Sequence, residues 1–217
     1  MTGNADDAAE DALRQAAARL AAKGFLKPGD TISQCIPERN RFVSAKTPPD
    51  QYLGLTIAWI DLAGTPSDLH HRIYAARPDV GAIAAAALTW TSALSRLSIS
   101  LPPIFDEQIR HLGTAVLRLS MQSTDGKPVE ALKNGANAYM LDDTVLCFGM
   151  ELERLLANVE ILEKCAQSFV LAHCTSQHVK LIPWLVKFIA NGRLKKDQKD
   201  AAARHLRGER AIMKSSY

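Results

Sequence analysis

Two carboxylates stand side by side at Asp142-Asp143. Neighbouring carboxyls raise one another's pKa, and such a pair can serve as an acid/base group in metal-free chemistry. Successive residues of an extended segment point to opposite faces, however, so the two need not share a site. A second group of potential donors is His173, Cys174 and His178. A single helix end with three donors and no fourth partner does not make a zinc site. The cysteines Cys35, Cys147, Cys165 and Cys174 include no Cys-x-x-Cys pair, and each sits in an apolar or mixed segment. They are expected to be reduced structural thiols. The serines include no Gly-x-Ser-x-Gly elbow, and the chain has neither a Gly-x-Gly-x-x-Gly fingerprint nor a P-loop.

Composition narrows the classes further. Of 217 residues, 47% are apolar, enough for a sizeable core in one large domain. The net charge of +3 is too small to argue for nucleic acid. The basic end of the chain carries Arg193, Lys195, Lys196, Lys199, Arg204, Arg207, Arg210 and Lys214 against Asp197, Asp200 and Glu209. It lacks interleaved aromatics, so it reads as a solvated helix or tail over residues 191–217 rather than a nucleic-acid surface. No apolar run reaches the roughly 18 residues of a membrane span. The acidic, polar start is unlike a secretory signal. A cytoplasmic protein with no membrane partner is expected.

The elements that must position any chemistry follow from periodicity and punctuation. Residues 5–23 form an amphipathic helix with Leu13, Ala17, Leu20 and Ala21 on one face. Residues 31–36 and 41–44 make a hairpin through Pro37-Glu38-Arg39-Asn40, and a third strand lies near residues 55–62. Ser67 or Asp68 caps a helix that Pro78 stops. The small apolar run at residues 81–88 suits a strand buried on both faces. Helices follow at residues 89–97 and 105–112, a strand at residues 115–121, and a short helix at residues 128–133. Strands at residues 138–141 and 144–148 meet at Asp142-Asp143. The longest helix spans about residues 151–173. A second apolar helix at residues 180–190, with Trp184 and Phe188, ends at Asn191-Gly192. Residues 1–190 thus read as one α/β domain. Short turns between strands require a mixed or mostly antiparallel sheet.

Three ordered segments within residues 10–172 resemble the class II aldolase/adducin domain family. They are Gly29-Asp30-Thr31-Ile32-Ser33; His70 to Ala87, including Arg77-Pro78-Asp79-Val80; and Asp142-Asp143 through Gly149 into the Leu- and Glu-rich helix. The resemblance implies a three-layer α/β/α sandwich with a mostly antiparallel central sheet. It also implies a divalent metal held by three histidines, a Lewis acid for an enediolate, with a glutamate as acid/base group and hydroxyl-bearing loops around a phosphate. A cyclic tetramer comes with it.

Matched position by position, the three metal histidines fall on Ala85, Ala87 and Asp143. Two methyl groups and a lone carboxylate do not build a metal site, so no metal and no cofactor is expected. The acid/base glutamate falls at Pro66, or on Asp68 if the loop slips by two residues. Substrate or anion contacts would fall to Ser33, Ser44, Lys46 and Ser67, while Asp30 at the phosphate turn would repel an anion. His70 matches a packing histidine. These residues imply a divergent member without the metal-dependent aldol site, serving as a binding or assembly module or as partner subunit to an intact paralogue, in a homo-oligomer. The alternative is a repurposed, metal-independent, lyase-like enzyme for a small carbonyl or carboxylate substrate, with Asp68 and Asp143 as weak acid/base candidates. A conventional sugar-phosphate aldolase fits least.

Overall fold

The computed structural model describes residues 3–48, 54–119, 131–175 and 179–212. Among them, seven strands form one sheet: β1 Thr31–Ile36, β2 Arg41–Lys46, β3 Thr56–Asp61, β4 Ala82–Ala86, β5 Leu117–Leu119, β6 Ala138–Leu141 and β7 Thr144–Gly149. Their order is β3-β2-β1-β4-β7-β6-β5. Every neighbouring pair is antiparallel except β5 with β6, which is parallel. The helices are α1 Gly3–Ala22, α2 Leu69–Ala76, α3 Thr89–Arg96, α4 Asp106–Leu112, α5 Leu152–Cys174 and α6 Trp184–His205.

Alternation along the strands divides the interior into two cores. Ala82, Ala84 and Ala86 of β4 face one core with Leu13 and Leu20 of α1 and Leu155, Val159 and Leu162 of α5. Ile83 of β4 faces the other, with Phe42, Tyr139, Leu146, Phe148, and Ile73 and Tyr74 of α2. This is the expected α/β/α layering. The alanine-rich β4 is a strand despite alanine's helix preference because both its edges are paired, to β1 and β7. Tertiary pairing outweighs a propensity worth less than about 1 kcal/mol per residue. Gly81, just before β4, permits a close approach to β7: a Cβ there would fall 2.1 Å from the Met150 carbonyl oxygen.

A buried arginine fastens the turn into β4. Arg77 donates to both Asp79 oxygens at 2.7 Å, to the Leu132 and Ala136 carbonyls at 2.9 Å, and to Asn137 Oδ1 at 3.2 Å. Gln198 of α6 donates to the same Asn137 oxygen at 3.0 Å, and Asn137 donates to the His111 carbonyl at 2.9 Å. One network therefore joins α2, the loop before β6, α4 and α6.

Some expectations change. The last helix does not end at Asn191-Gly192 but runs from Trp184 to His205, across the boundary drawn at residue 190. Leu194, Gln198 and Ala201 are buried beyond Gly192, and Asp197 accepts from Arg110 at 2.6 Å. That anchoring outweighs the roughly 1 kcal/mol a mid-helix glycine costs. The strand expected at residues 115–121 is described as Leu117–Leu119, and a 3-10 turn spans Leu132–Asn134. Residues 120–130, including the first half of the helix expected at 128–133, lie outside the described residues. All four cysteines are free, and only Cys174 is exposed.

Candidate functional site

Ser33, Ser44, Lys46 and Ala85 are brought together by strand register. Thr31 of β1 lies opposite Lys46 of β2 and Ala85 of β4, while Ser33 lies opposite Ser44 and Ile83. Residues directly opposed in a ladder share a face, so all of these line the α2 side of the sheet. Lys46 is exposed, Ser44 and Ala85 are partly buried, and Ser33 is fully buried.

The interior of this face is a hydroxyl–imidazole network. Ser33 Oγ lies 2.7 Å from His70 Nδ1 and 2.8 Å from the Tyr74 hydroxyl, and Thr31 Oγ1 lies 3.0 Å from His70 Nε2. His70 and Tyr74, four apart on α2, reach the sheet together. Both ring nitrogens of His70 are engaged, and burial lowers its pKa to about 4, against a smaller upward pull from Asp68. Burial raises the Tyr74 phenol well above its ordinary value. The network is neutral and closed, and Ser33 has no exposed surface through which to meet a substrate. His70 is thus the hydrogen-bonded packing residue its position suggested. Thr31 and Tyr74 escaped sequence reasoning; their one signal is spacing, i, i+2 with Ser33 on a strand and i, i+4 with His70 on a helix.

At the end of β4 the Ala87 amide donates to Asp30 Oδ1 at 3.1 Å, and the Lys27 amide donates to Asp30 Oδ2 at 2.6 Å. Burial raises the Asp30 pKa, partly offset by these two amides. Both carboxylate oxygens are occupied by the chain itself. The turn is further closed by Thr47, whose hydroxyl and amide both donate to the Asp30 carbonyl at 2.9 Å.

The remaining candidates serve local structure. Asp68 caps α2, accepting the His71 amide at 2.8 Å. The exposed Ser67 donates its amide to His71 Nδ1 at 3.3 Å, and His71 Nε2 faces the Leu62 carbonyl at 3.4 Å. Asp142 and Asp143 form the two-residue turn between β6 and β7, with Asp142 at φ 51. The Asp143 side chain is 80% exposed and pairs with Arg96 at 3.7 Å. His173 and Cys174 end α5 in solvent, and His178 lies outside the described residues. Among the described residues, no three His, Cys, Asp or Glu side chains stand close enough to hold a metal ion. Ala85 and Ala87 carry no side-chain atom that could ligate a metal ion.

A large groove of about 870 Å³ lies on the opposite face, between α1, α3 and α5. Its charges are mutually satisfied: Arg19 with Glu153 at 2.7 Å, Lys23 with Glu160 at 2.5 Å, and Lys164 with Glu107. Glu163 at its base accepts the Trp90 and Thr91 amides at 2.5 and 3.1 Å, and the Thr91 hydroxyl at 2.9 Å.

Comparison with known proteins places this geometry. The model of the Class II Aldolase and Adducin N-terminal domain matches residues 57–170, just over half of the 217. No curated protein matches the chain. Among solved structures, an L-fuculose 1-phosphate aldolase superposes with TM-score 0.73 at 18% identity, covering 86% of this chain and 96% of that one. The L-fuculose-1-phosphate aldolase from Thermus thermophilus gives 0.63 at 20% identity, covering 76% and 94%. An aldolase II superfamily protein from Pseudomonas syringae gives 0.62 at 18%, covering 94% and 95%. At these identities the structures speak to the fold alone, and they agree with the seven-stranded mixed sheet and its layers. Together with the family match, they show that the chain belongs to the class II aldolase and adducin N-terminal domain family.

Proposed function

We propose that this chain is a family member without the metal-dependent aldol site, working as a non-catalytic binding or assembly module in a homo-oligomer or beside an intact paralogue. The observation that carries the reading is the end of β4. On the family resemblance, Ala85 and Ala87 stand where two imidazoles would converge on a cation. Ala85 presents a methyl group beside Thr31, and the Ala87 amide is tied to Asp30. The third position, Asp143, is a solvated turn residue. The groups that a metal-free enzyme would need are engaged elsewhere: Asp68 caps α2, and Ser33 is sealed in the His70 network.

Assembly is supported by an unusual surface. Leu181, Trp184, Leu185, Val186, Phe188 and Ile189 are all exposed, Trp184 and Phe188 by 73% and 72%. A contiguous sequence run of large apolar side chains in solvent is what an interface leaves when its partner is absent. The catalytic half of the proposal is tested by incubating the protein with L-fuculose 1-phosphate and added Zn²⁺. No cleavage above buffer is expected; turnover abolished by EDTA would refute the reading.

A further inference from the structure

Helix α6 is attached to the domain along one side. Ala190, Leu194, Gln198 and Ala201 are buried, and at about 100° per residue they share one face. Trp184, Leu185, Phe188 and Ile189 fall on the other side and are exposed. Gly192 lies in the middle of that exposed face, and a Cβ there would meet no atom within 4 Å. A glycine inside a helix costs about 1 kcal/mol against alanine, and among the described residues nothing fills the space it leaves.

Spacing makes this face self-complementary. Trp184 and Gly192 stand four residues either side of Phe188, about one helical turn each way. Two such helices laid antiparallel, with Phe188 at the crossing, put each Trp184 against the other copy's Gly192, a large ring into an empty place. A contact in which one patch serves both copies is of the isologous, two-fold kind. Charge fixes the direction. Arg193, Lys195 and Lys196 are exposed on the next turn, and a parallel pair would set them level with their counterparts in the second copy. The antiparallel pair holds the two Lys195 residues about 21 Å apart along the axis, at 1.5 Å rise per residue. Exposed charges at physiological salt act over only ~8 Å. Lys195 instead comes level with Leu181 of the second copy, over which its methylene stem can lie.

The area suffices for a stable pair. Leu181 and Val186 flank the face and are exposed too. Together the six apolar side chains offer on the order of 700 Å², close to the ~800 Å² per partner that a standard interface buries. We propose that α6 pairs with the same helix of a second copy, antiparallel and two-fold, with Phe188 on the axis and Trp184 seated over Gly192. The inference rests on the assembly half of the function proposed above and not on the residues at the end of β4. It names the occupant of the apolar face and makes Gly192 the residue that admits it. Such a contact differs from a cyclic interface, where two different patches meet.

The test joins sedimentation equilibrium of the intact protein to disulfide trapping in a Cys174→Ser background, where the remaining cysteines are buried. On a two-fold axis a residue meets its own copy, so Phe188→Cys should give a cross-linked dimer under mild oxidant. Trp184→Cys alone should not, its two copies lying about 12 Å apart along the axis, while a disulfide needs Cα atoms roughly 4.4–6.8 Å apart. Mixed with Gly192→Cys, it should. Gly192→Leu fills the empty place and should weaken association at least about tenfold, although leucine favours the helix itself. If wild type assembles but Phe188→Cys does not cross-link, if Trp184→Cys cross-links to itself as readily, or if Gly192→Leu associates like wild type, the helix pairing is overturned and the assembly reading stands. A wild type that is monomeric at high micromolar concentration overturns both.

Discussion

A histidine between hydroxyls can be an acid, a base or a strut, and burial decides the matter at His70. With Ser33, Thr31 and Tyr74 filling its hydrogen bonds and its pKa lowered to about 4, the imidazole is neutral in the folded chain. The unfolded chain takes up the proton near pH 6.5, so between those values it binds more protons than the native state. Stability should therefore be full above about pH 6.5 and fall towards pH 4 by up to about 3 kcal/mol, levelling off below. His111, also lowered to about 4 by burial and by Arg154, titrates in the same window. Urea unfolding at pH 7 and pH 4.5 measures the total, and His70→Gln should flatten the slope while keeping the share of His111. An unchanged slope would mean that His70 is not the buried neutral group described. The packing role of His70 was legible from the family position that it matches. Its partners were not, because Ser33 and Tyr74 are forty-one residues apart and meet only through the sheet. The same holds for Asp30, whose carboxylate reads as an anion-repelling charge until its partner, the distant Ala87 amide, is seen.

Helix α3 has no cap of its own, since the N-cap residue Leu88 cannot accept a hydrogen bond through its side chain. Glu163 of α5 supplies the acceptors instead, binding two amides and a hydroxyl at the start of α3. Glu163→Ala should cost about 1–3 kcal/mol, the loss of a cap plus buried donors left unpaired, read as a lower urea midpoint. An unshifted midpoint would mean that α3 is not held this way. Arg77 makes a stronger junction, tying the turn before β4 to the loop before β6. Arg77→Ala should cost about 3–5 kcal/mol because Asp79 is then left buried without its partner; a change within about 0.5 kcal/mol, the range of ordinary surface substitutions, would contradict that role. Most element boundaries were readable from periodicity, proline and cap residues. The hairpin turn at Asp142-Asp143 was read directly, and so was the start of α2. What failed was a feature set by distant contacts, the continuation of α6 past Gly192; the mixed, mostly antiparallel sheet was expected, and that its one parallel pair among the described strands is β5 with β6 is something no local pattern encodes.

At the scale of the molecule, the fold leaves one helix half unfinished. The C-terminal half of α6 is anchored by Leu194, Gln198 and the Arg110–Asp197 pair, while its N-terminal half carries Trp184, Leu185 and Phe188 into solvent. Wild-type protein should elute as an oligomer, and the Trp184→Asp, Phe188→Asp double variant as a folded monomer; a dilute monomeric wild type would contradict the assembly reading. The family was legible from three ordered segments. The most direct test of the central claim is elemental analysis of protein purified without chelator and then dialysed against Zn²⁺. Methyl groups at Ala85 and Ala87 predict no stoichiometric ion. One tightly held ion per chain, lost in Asp143→Asn, would show that this end of β4 binds metal after all.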